Sequence, residues 1–379
     1  MPVALVAGEA SGDLLAGLLL RGLKTHIPGL DAFGIGGRRM QAEGFRADWP
    51  MDKLAVRGYV EVLRHYPEIA LIRRRLRTGL IAKPPRVFIG VDAPDFNLDL
   101  EIDLKRRGIP TVQFVSPSIW AWRGERIEKI RRAVDHMLVL FPFEEPLYRE
   151  AGIAATYVGH PLADLIPAVP DRGAARALLG LDGVRPVLAV LPGSRLSEIR
   201  YLGPCFARAA ALIQKAHPEV QVIVPLASRA TLLAFSGILH RIGLESLLPA
   251  LVEGRSHEVL AACDAALIAS GTATLEAALF KRPMVIAYRM AHLSWLKMRN
   301  MGYLPWVGLP NILAREFLVP ELLQDAATPE ALASALEVQL FDADNRARLV
   351  PRFAALHSEL RRDTGRLAGL AVAGLIGAA

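Results

Sequence analysis

Apolar residues run along this chain in two rhythms. Short unbroken runs bounded by Gly, Ser or Pro alternate with longer stretches in which apolar positions recur every three or four residues. The first rhythm fits strands buried on both faces of a parallel sheet, the second fits amphipathic helices, and their alternation predicts an α/β fold. The clearest instance is 264–288, DAALIASGTATLEAALFKRPMVIAY. Here 265–269 predicts a buried strand, Ser270-Gly271-Thr272 a tight turn, and 274–281 a helix. Pro283 stops that helix, and 284–288 predicts the next strand. A small-residue turn that feeds a helix N-terminus presents backbone N–H groups and the positive end of the helix dipole to an anion. Glu276, about one turn into the helix, then falls within reach of a ribose. A ligand-free strand–turn–helix unit explains this stretch equally well on its own.

The same unit recurs. Strands are predicted at 3–7, 32–37, 87–91, 111–115, 138–141 and 156–158, and again at 186–191 and 221–225. A turn is predicted at 8–13, with helices at 14–24, 98–107, 205–217, 274–281, 329–340 and 345–361. Pro161, Pro167 and Pro170 sit in a stretch with no clear period, which marks a domain boundary. The expected organisation is an N-terminal domain at 1–165, a second at 166–345, and a helical tail at 346–379 that packs on the first domain or on a partner subunit. Strand, small turn and helix open both halves (3–24 and 187–217), as expected of two Rossmann-like domains with a cleft between them. The turn at 8–13 lacks the G-x-G-x-x-G spacing of a dinucleotide site, which argues against NAD.

Composition narrows the class. With 52% hydrophobic and 22% charged residues, the chain is a folded globular protein. Its two cysteines, Cys205 and Cys263, and nine scattered histidines show no metal-ligand spacing. A reducing compartment and no metal are expected. The sequence enters a strand directly, without a charged leader, so no signal peptide is expected. No apolar run approaches the ~20 residues needed to span a bilayer, so a soluble or peripheral protein is expected. The net charge of +7 is concentrated: 53–86 holds nine Lys/Arg against Glu61 and Glu68, leaving the remainder near neutral. Apolar Val56, Tyr59, Val60, Val62, Leu63, Ile69, Leu71 and Ile72 are mixed among them. That mixture suits a face against anionic lipid, with Arg73, Arg74, Arg75 and Arg77 turned to the membrane. A solvated amphipathic helix is the plainer alternative. Nucleic acid is not expected as a partner, because stacking aromatics are not interleaved with the charge.

Candidate chemistry lies at the ends of strands. Asp92 stands at the carboxyl end of strand 87–91, where open α/β sheets keep reactive groups. Asp95 is assigned as the N-cap of helix 98–107, leaving Asp92 free. The turn Pro192-Gly193-Ser194-Arg195 places a guanidinium where it meets phosphate, bidentately if geometry permits. Gly36-Gly37 lets backbone approach a ligand or the opposite domain, or is a plain turn. Trp120 and Trp122 form either a binding wall or a packing cluster. The Asn311 amide binds a sugar hydroxyl or diphosphate, or caps a short helix. There is no phosphate-binding G-x-x-x-x-G-K-[ST] loop and no confident Ser-His-Asp set. The layout is that of a two-domain glycosyltransferase, with nucleotide sugar in the second half and acceptor in the first.

LVAGEASGD (5–13), GGRRMQAEG (36–44), GVDAPDFN (90–97), FVSPSIWAWR (114–123), LPGSR (191–195), ASGTATLE (269–276), PMVIAYRM (283–290) and LPNIL (309–313) together resemble the lipid-A-disaccharide synthases of Gram-negative bacteria, over essentially the whole chain. The resemblance implies the GT-B fold and an inverting, metal-independent transfer without a cofactor. UDP-2,3-diacylglucosamine would be the donor and 2,3-diacylglucosamine 1-phosphate (lipid X) the acceptor. The products would be the β-1,6-linked lipid A disaccharide 1-phosphate and UDP. It further implies a cytoplasmic, peripheral protein of the inner face of the cytoplasmic membrane, and allows a homodimer that exchanges C-terminal segments. By this resemblance Asp92 is the general base toward the acceptor's 6-hydroxyl. Arg195, with Gly193, Ser194 and the turn at Ser270, Gly271 and Thr272, offsets charge on the departing UDP. Glu276 binds ribose, and Asn311 binds diphosphate or sugar. Glu9, Ser11 and Gly12 line the acceptor side. Two other classes share the layout: a UDP-sugar epimerase acting on a UDP-hexosamine such as UDP-N-acetylglucosamine, and a non-catalytic nucleotide-binding or membrane-scaffold protein.

Overall fold

The computed structural model describes residues 1–54, 59–121, 124–244, 250–291, 295 and 302–378, with the side chains of 59–66 and 250 excepted. Trp122, Arg123 and the apolar side chains at 56–63 therefore lie outside the described residues. The chain forms two compact units, Met1–Asp164 with Leu360–Ala379, and Leu165–Glu359.

The first unit is built on seven parallel strands: β1 (Pro2–Ala7), β2 (Asp31–Gly36), β3 (Arg46–Pro50), β4 (Val87–Val91), β5 (Thr111–Phe114), β6 (His136–Val139) and β7 (Ala155–Tyr157). Their order in the sheet is β3-β2-β1-β4-β5-β6-β7. β4 is buried at every position, and β1 from Val3 onward, which is why both read as unbroken apolar runs. One face of the sheet is covered by the helix Ala10–Lys24, through Leu15, Leu19, Leu20 and Leu23. Each of these side chains contributes roughly 1.5–3 kcal/mol by burial. The other face is covered by Ile72, Leu76 and Leu80 of the helix Tyr59–Ala82 and by Phe96, Leu100 and Leu104 of the helix Pro94–Lys105.

The Ala/Gly-rich tail supplies a further helix, Thr364–Leu375, that lies directly on Ala10–Lys24. Glycines make that approach possible. A Cβ on Gly22 would stand 2.0 Å from the Gly365 carbonyl oxygen, and one on Gly369 would stand 2.4 Å from the Gly22 carbonyl carbon.

The second unit has six parallel strands: β8 (Val187–Leu191), β9 (Gln221–Leu226), β10 (Ala250–Glu253), β11 (Ala265–Ala269), β12 (Met284–Tyr288) and β13 (Glu321–Leu323). Their order is β10-β9-β8-β11-β12-β13. A buried ion pair ties the starts of its two central strands. Arg176 Nη2 meets Asp264 Oδ2 at 2.7 Å, and the same oxygen accepts from the Val187 N–H at 2.8 Å. The rest of that guanidinium donates to the carbonyls of Ala262, Asp182, Gly183 and Arg185.

Several boundaries differ from the sequence reading. The helix predicted from 14 begins at Ala10, and the one predicted from 205 begins at Leu196 and runs through Pro204. Strands β3, β10 and β13 are additions to the expected set; each lies at a sheet edge and spans only three to five residues. The tail drawn at 346–379 divides. The helix Ala343–Leu360 stays with the second unit almost to its end, held by Arg348 Nη2 on the Leu318 carbonyl and His357 Nδ1 against Lys281 Nζ at 2.6 Å, so the return to the first unit begins at Leu360.

Candidate active site

In both sheets the strand order reverses direction once, between β1 and β4 in the first unit and between β8 and β11 in the second. Loops leaving the carboxyl ends of strands on the two sides of such a reversal diverge and leave a crevice. Glu9 follows β1 and Asp92 follows β4; Gly193–Arg195 follow β8 and Ser270–Thr272 follow β11. The topology therefore brings the predicted residues together within each unit.

At the first reversal, Asp92 and Ala93 both adopt left-handed backbone, with φ of 54° and 42°. For residues with side chains this costs about 1–3 kcal/mol each and persists only where neighbours over-determine it. Here the Asp92 N–H donates to the Phe114 carbonyl at 2.9 Å. The Asp92 carbonyl accepts from Asn97 Nδ2 and Gln113 Nε2, each at 2.9 Å. Burial pushes the Asp92 carboxyl above its ordinary range and nearby Glu9 adds to the rise, while the Ala93 N–H and the Ser11 hydroxyl favour the ionised form. A cavity of about 400 Å³ opens beside it, lined by Glu9, Asp92, Ala93, Leu54, Ile69, Phe96 and Arg73 among others.

Glu9 thus lies at the cavity and Ser11 at the carboxylate, but Gly12 has another task. It is buried, and a Cβ there would stand 3.3 Å from the Val91 carbonyl oxygen, so it lets the helix close on β4. Asp95 is not the N-cap. Ala93 holds that position with Pro94 in the first turn, and Asp95 is an exposed partner of Arg126 at 3.1 Å. Asp13 escaped the sequence reading. It is buried and accepts from the N–H groups of Gly37, Met40 and Arg39 at 2.9, 3.1 and 2.9 Å, capping the helix Arg38–Ala42. The close approach expected at Gly36-Gly37 is to this carboxylate: a Cβ on Gly37 would stand 2.6 Å from Asp13 Oδ2. Trp120 belongs to a packing cluster, edge-on to Phe143 at 5.1 Å and Phe141 at 6.3 Å, with its Nε1 donating to buried Glu144 at 2.8 Å.

At the second reversal, a pocket of about 390 Å³ gathers Gly193, Ser194, Arg195, Ser270, Gly271, Thr272 and Glu276. Its two turns differ. Glu198 Oε2 accepts from the N–H groups of Ser194 and Arg195 at 2.8 and 3.2 Å, and its Oε1 lies 3.3 Å from Arg195 Nη1. The chain's own carboxylate already sits in that turn. Gly193 is required there, with φ of 120° and space for a Cβ only at 2.4 Å from Glu198 Cβ. The opposite turn feeds the helix Thr272–Leu279, whose N-terminus carries no side-chain cap. Glu276 Oε1 lies 3.7 Å from His257 Nε2, and this carboxylate raises the imidazole's pKa. His257 lies on the helix Ser256–Ala262, which is absent from the expected elements.

Two expectations fail on geometry. Asn311 is buried, donates to the Val319 carbonyl at 2.9 Å and Glu321 Oε1 at 2.8 Å, and accepts from the Val319 N–H at 2.9 Å. Its amide is committed to holding the 308–321 segment and is absent from the pocket lining. Within the basic stretch, Arg73 pairs with Asp99 at 3.1 Å and Arg77 with Asp103 at 2.8 Å, both turned to the neighbouring helix, whereas Arg74 and Arg75 are exposed. Among the described residues, no group of three or more His, Cys, Asp or Glu is placed to hold a metal ion, and no helix is long and apolar enough to cross a membrane.

The sequence matches the family described as Lipid-A-disaccharide synthetase over residues 3–371. A lipid-A-disaccharide synthase of Albidiferax ferrireducens is 60% identical over 382 residues, covering 98% of this chain and 96% of that protein. Its counterpart in Burkholderia thailandensis is 56% identical over 375 residues, covering 99% and 96%. Among solved structures, a UDP-GlcNAc 2-epimerase from Neisseria meningitidis bound to UDP-GlcNAc aligns with a TM-score of 0.62 at 12% identity over the whole of both chains. MurG of Acinetobacter baumannii aligns with a TM-score of 0.56 at 14% identity, covering 99% of each. At such identities these likenesses speak to the fold alone.

Proposed function

The chain belongs to the lipid-A-disaccharide synthetase family, and from that membership we infer a GT-B hexosyltransferase that joins UDP-2,3-diacylglucosamine to 2,3-diacylglucosamine 1-phosphate, giving the β-1,6-linked disaccharide 1-phosphate and UDP. The observation that carries the division of labour is the placement of Asp92: a carboxylate at the first unit's strand reversal, fixed in left-handed backbone beside an open cavity. We propose that it accepts the proton of the acceptor's 6-hydroxyl as that oxygen attacks the donor's anomeric carbon. Positioned general bases are worth about 10²–10⁴-fold. Glu9 and Ser11 set its charge state, and the apolar wall of Leu54, Ile69 and Phe96 accommodates the start of an acyl chain.

The leaving diphosphate is assigned to the uncapped N-terminus of Thr272–Leu279 rather than to the turn at 194–195. A diphosphate and the Glu198 carboxylate repel, and both would need the same N–H groups. Arg195 approaches from the other side of the pocket, and Glu276 with His257 meets the ribose. These groups take over charge stabilisation that a metal supplies in other transferases, so activity is expected to survive a chelator. The epimerase alternative rests on fold similarity only.

Asp92→Ala is expected to lower UDP release in the presence of both lipids by at least a hundredfold while calorimetric binding of UDP persists. A rate within threefold of wild type would remove Asp92 from the mechanism. We further propose a peripheral association with the anionic cytoplasmic membrane face in which Arg74 and Arg75 contact lipid. Arg74→Glu with Arg75→Glu should release the protein from vesicles containing anionic lipid, an effect that salt screens; unchanged binding would reduce the stretch to a solvated helix. Self-association with exchange of Leu360–Ala379 belongs to the same reading and is read by sedimentation equilibrium.

A further inference from the structure

Among the described residues, the buried oxygens that lack a hydrogen-bond partner include Asn97 Oδ1, Gln113 Oε1 and both carboxyl oxygens of Glu101, on three side chains that pack around Gly90 of β4. All three side chains are fully buried. They gather where Gly90 has no side chain. A Cβ placed there would stand 2.4 Å from Glu101 Oε1, 2.5 Å from Gln113 Oε1 and 2.8 Å from Asn97 Cβ, so the two oxygens look into one small space. The nitrogen ends of the same two amides are already spent, both donating to the Asp92 carbonyl. That fixes their oxygen ends away from Asp92.

Acceptors that face one another in a dry interior need a proton between them. Neither amide oxygen supplies one, and a carboxyl group does. We propose that Glu101 is a positioning residue for Asp92: carrying its proton, it donates to Gln113 Oε1 and so holds the amide with its N–H toward the Asp92 carbonyl. Burial independently favours this form, pushing the Glu101 carboxyl well above the ordinary carboxylate range, with only the Gly90 backbone opposing. The proton works through orientation. With the amide reversed, its oxygen would face the Asp92 carbonyl and repel it, and the left-handed Asp92-Ala93 pair would lose one of its two clamps. The inference rests on Asp92 being the base and concerns what keeps it there.

The test compares variants of the full-length protein. Glu101→Gln keeps an N–H donor and should retain at least a third of kcat. Glu101→Leu, and Glu101→Met as a second apolar variant in case the first fails to fold, should lower kcat by about tenfold or more with KM for both substrates within twofold. On an Asp92→Ala background the same apolar change should leave the residual rate unaltered. Difference infrared spectra of wild type against Glu101→Gln should show a protonated carboxyl stretch at neutral pH that the variant lacks. The inference is overturned if the apolar variants act on KM instead of kcat, if they lower the Asp92→Ala rate by the same factor as wild type, or if no protonated carboxyl band appears. Wild-type kcat in the apolar variants with an inactive Asp92→Ala would refute this inference alone; an active Asp92→Ala would refute the base assignment beneath it.

Discussion

Replacing Gly90 by alanine adds one methyl group at the most crowded point beneath the proposed base. The new Cβ would lie 2.4 Å from Glu101 Oε1, 2.5 Å from Gln113 Oε1 and 2.8 Å from Asn97 Cβ, all closer than non-bonded carbon contacts allow. Each neighbour is fully buried, so none has open solvent to retreat into. Overpacking a filled core of this kind costs about 1–3 kcal/mol. At about 2–4 °C per kcal/mol for a domain of 150–250 residues, the first unit should melt some 2–12 °C lower. Activity should suffer more than stability suggests. Moving Asn97 and Gln113 withdraws one or both hydrogen bonds from the Asp92 carbonyl, each worth about 1 kcal/mol, and these offset the cost of two left-handed residues. With the clamp loosened, Asp92 relaxes toward ordinary backbone and its carboxylate leaves the acceptor. We expect kcat to fall at least tenfold at a temperature where the variant is fully folded, with UDP affinity unchanged because the proposed UDP site belongs to the other unit. Scanning calorimetry, steady-state UDP release and UDP titration measure the three quantities. A variant with wild-type melting and wild-type kcat would refute the reasoning, since the contacts leave no room for a harmless methyl.

Other perturbations are separable from this one. Buried Glu144 has its pKa raised from 4.5 to about 7, chiefly by burial, so the folded state holds a proton that the unfolded state releases. Its contribution is therefore intact below pH 4.5 and is lost as pH rises to about 7; at 1.36 kcal/mol per pH unit the loss is about 3 kcal/mol. The stability gap between wild type and Glu144→Gln, measured by urea unfolding across that range, should shrink accordingly, and a pH-independent gap would contradict it. His160 slopes the other way: burial lowers its pKa to about 4, so its neutral form loses stability as pH falls below 6.5. His160→Gln should flatten that acid limb. Gly193→Ala places a Cβ 2.4 Å from Glu198 Cβ at a φ of 120°, a strain of about 1–3 kcal/mol; by displacing Arg195 it should weaken UDP binding by tenfold or more, and wild-type affinity would mean that Arg195 stands apart from the donor.

Most of the sheet was legible because parallel strands buried on both faces leave unbroken apolar runs, as in 87–91, 265–269 and 284–288. β3 was not, since RADWP has no such run and only partial burial. The placement of Asp92, Arg195, Ser270 and Glu276 just beyond strand ends was legible for a related reason: strand ends and small-residue turns are punctuation that local sequence carries. What escaped depends on partners far along the chain. Asn311 stood out as a loop amide, yet its partners Val319 and Glu321 consume it. Asp13 ends the turn predicted at 8–13, but its carboxylate caps a helix 24 residues later. Asn97 and Gln113 belong to a helix and a strand respectively, and nothing in either segment announces that both converge on one carbonyl.

The two strand reversals are alike in topology and differ in how their carboxylates are compensated, and that contrast supports the proposed division of substrates. Glu9 lines the same cavity as Asp92, and its charge raises the Asp92 pKa. A diphosphate brought there would add negative charge to a site already crowded with it, whereas a neutral hydroxyl would meet a carboxylate eager for a proton. At the second reversal the carboxylates are compensated. Glu198 is satisfied by two N–H groups and Arg195, and Glu276 lies beside a His257 whose pKa it raises. The remaining unfilled polarity there is the positive end of a helix at Thr272. On the proposed reading, the attacking hydroxyl therefore suits the first reversal and the leaving diphosphate the second. Arg73 refines the point, since the one cation that lines the Asp92 cavity among the described residues is held at 3.1 Å by Asp99. Releasing it with Asp99→Asn should add positive charge beside Asp92, lower that carboxyl's pKa, and move the acid limb of the kcat profile to lower pH; an acid limb that stays put would place Arg73 outside the field of the base.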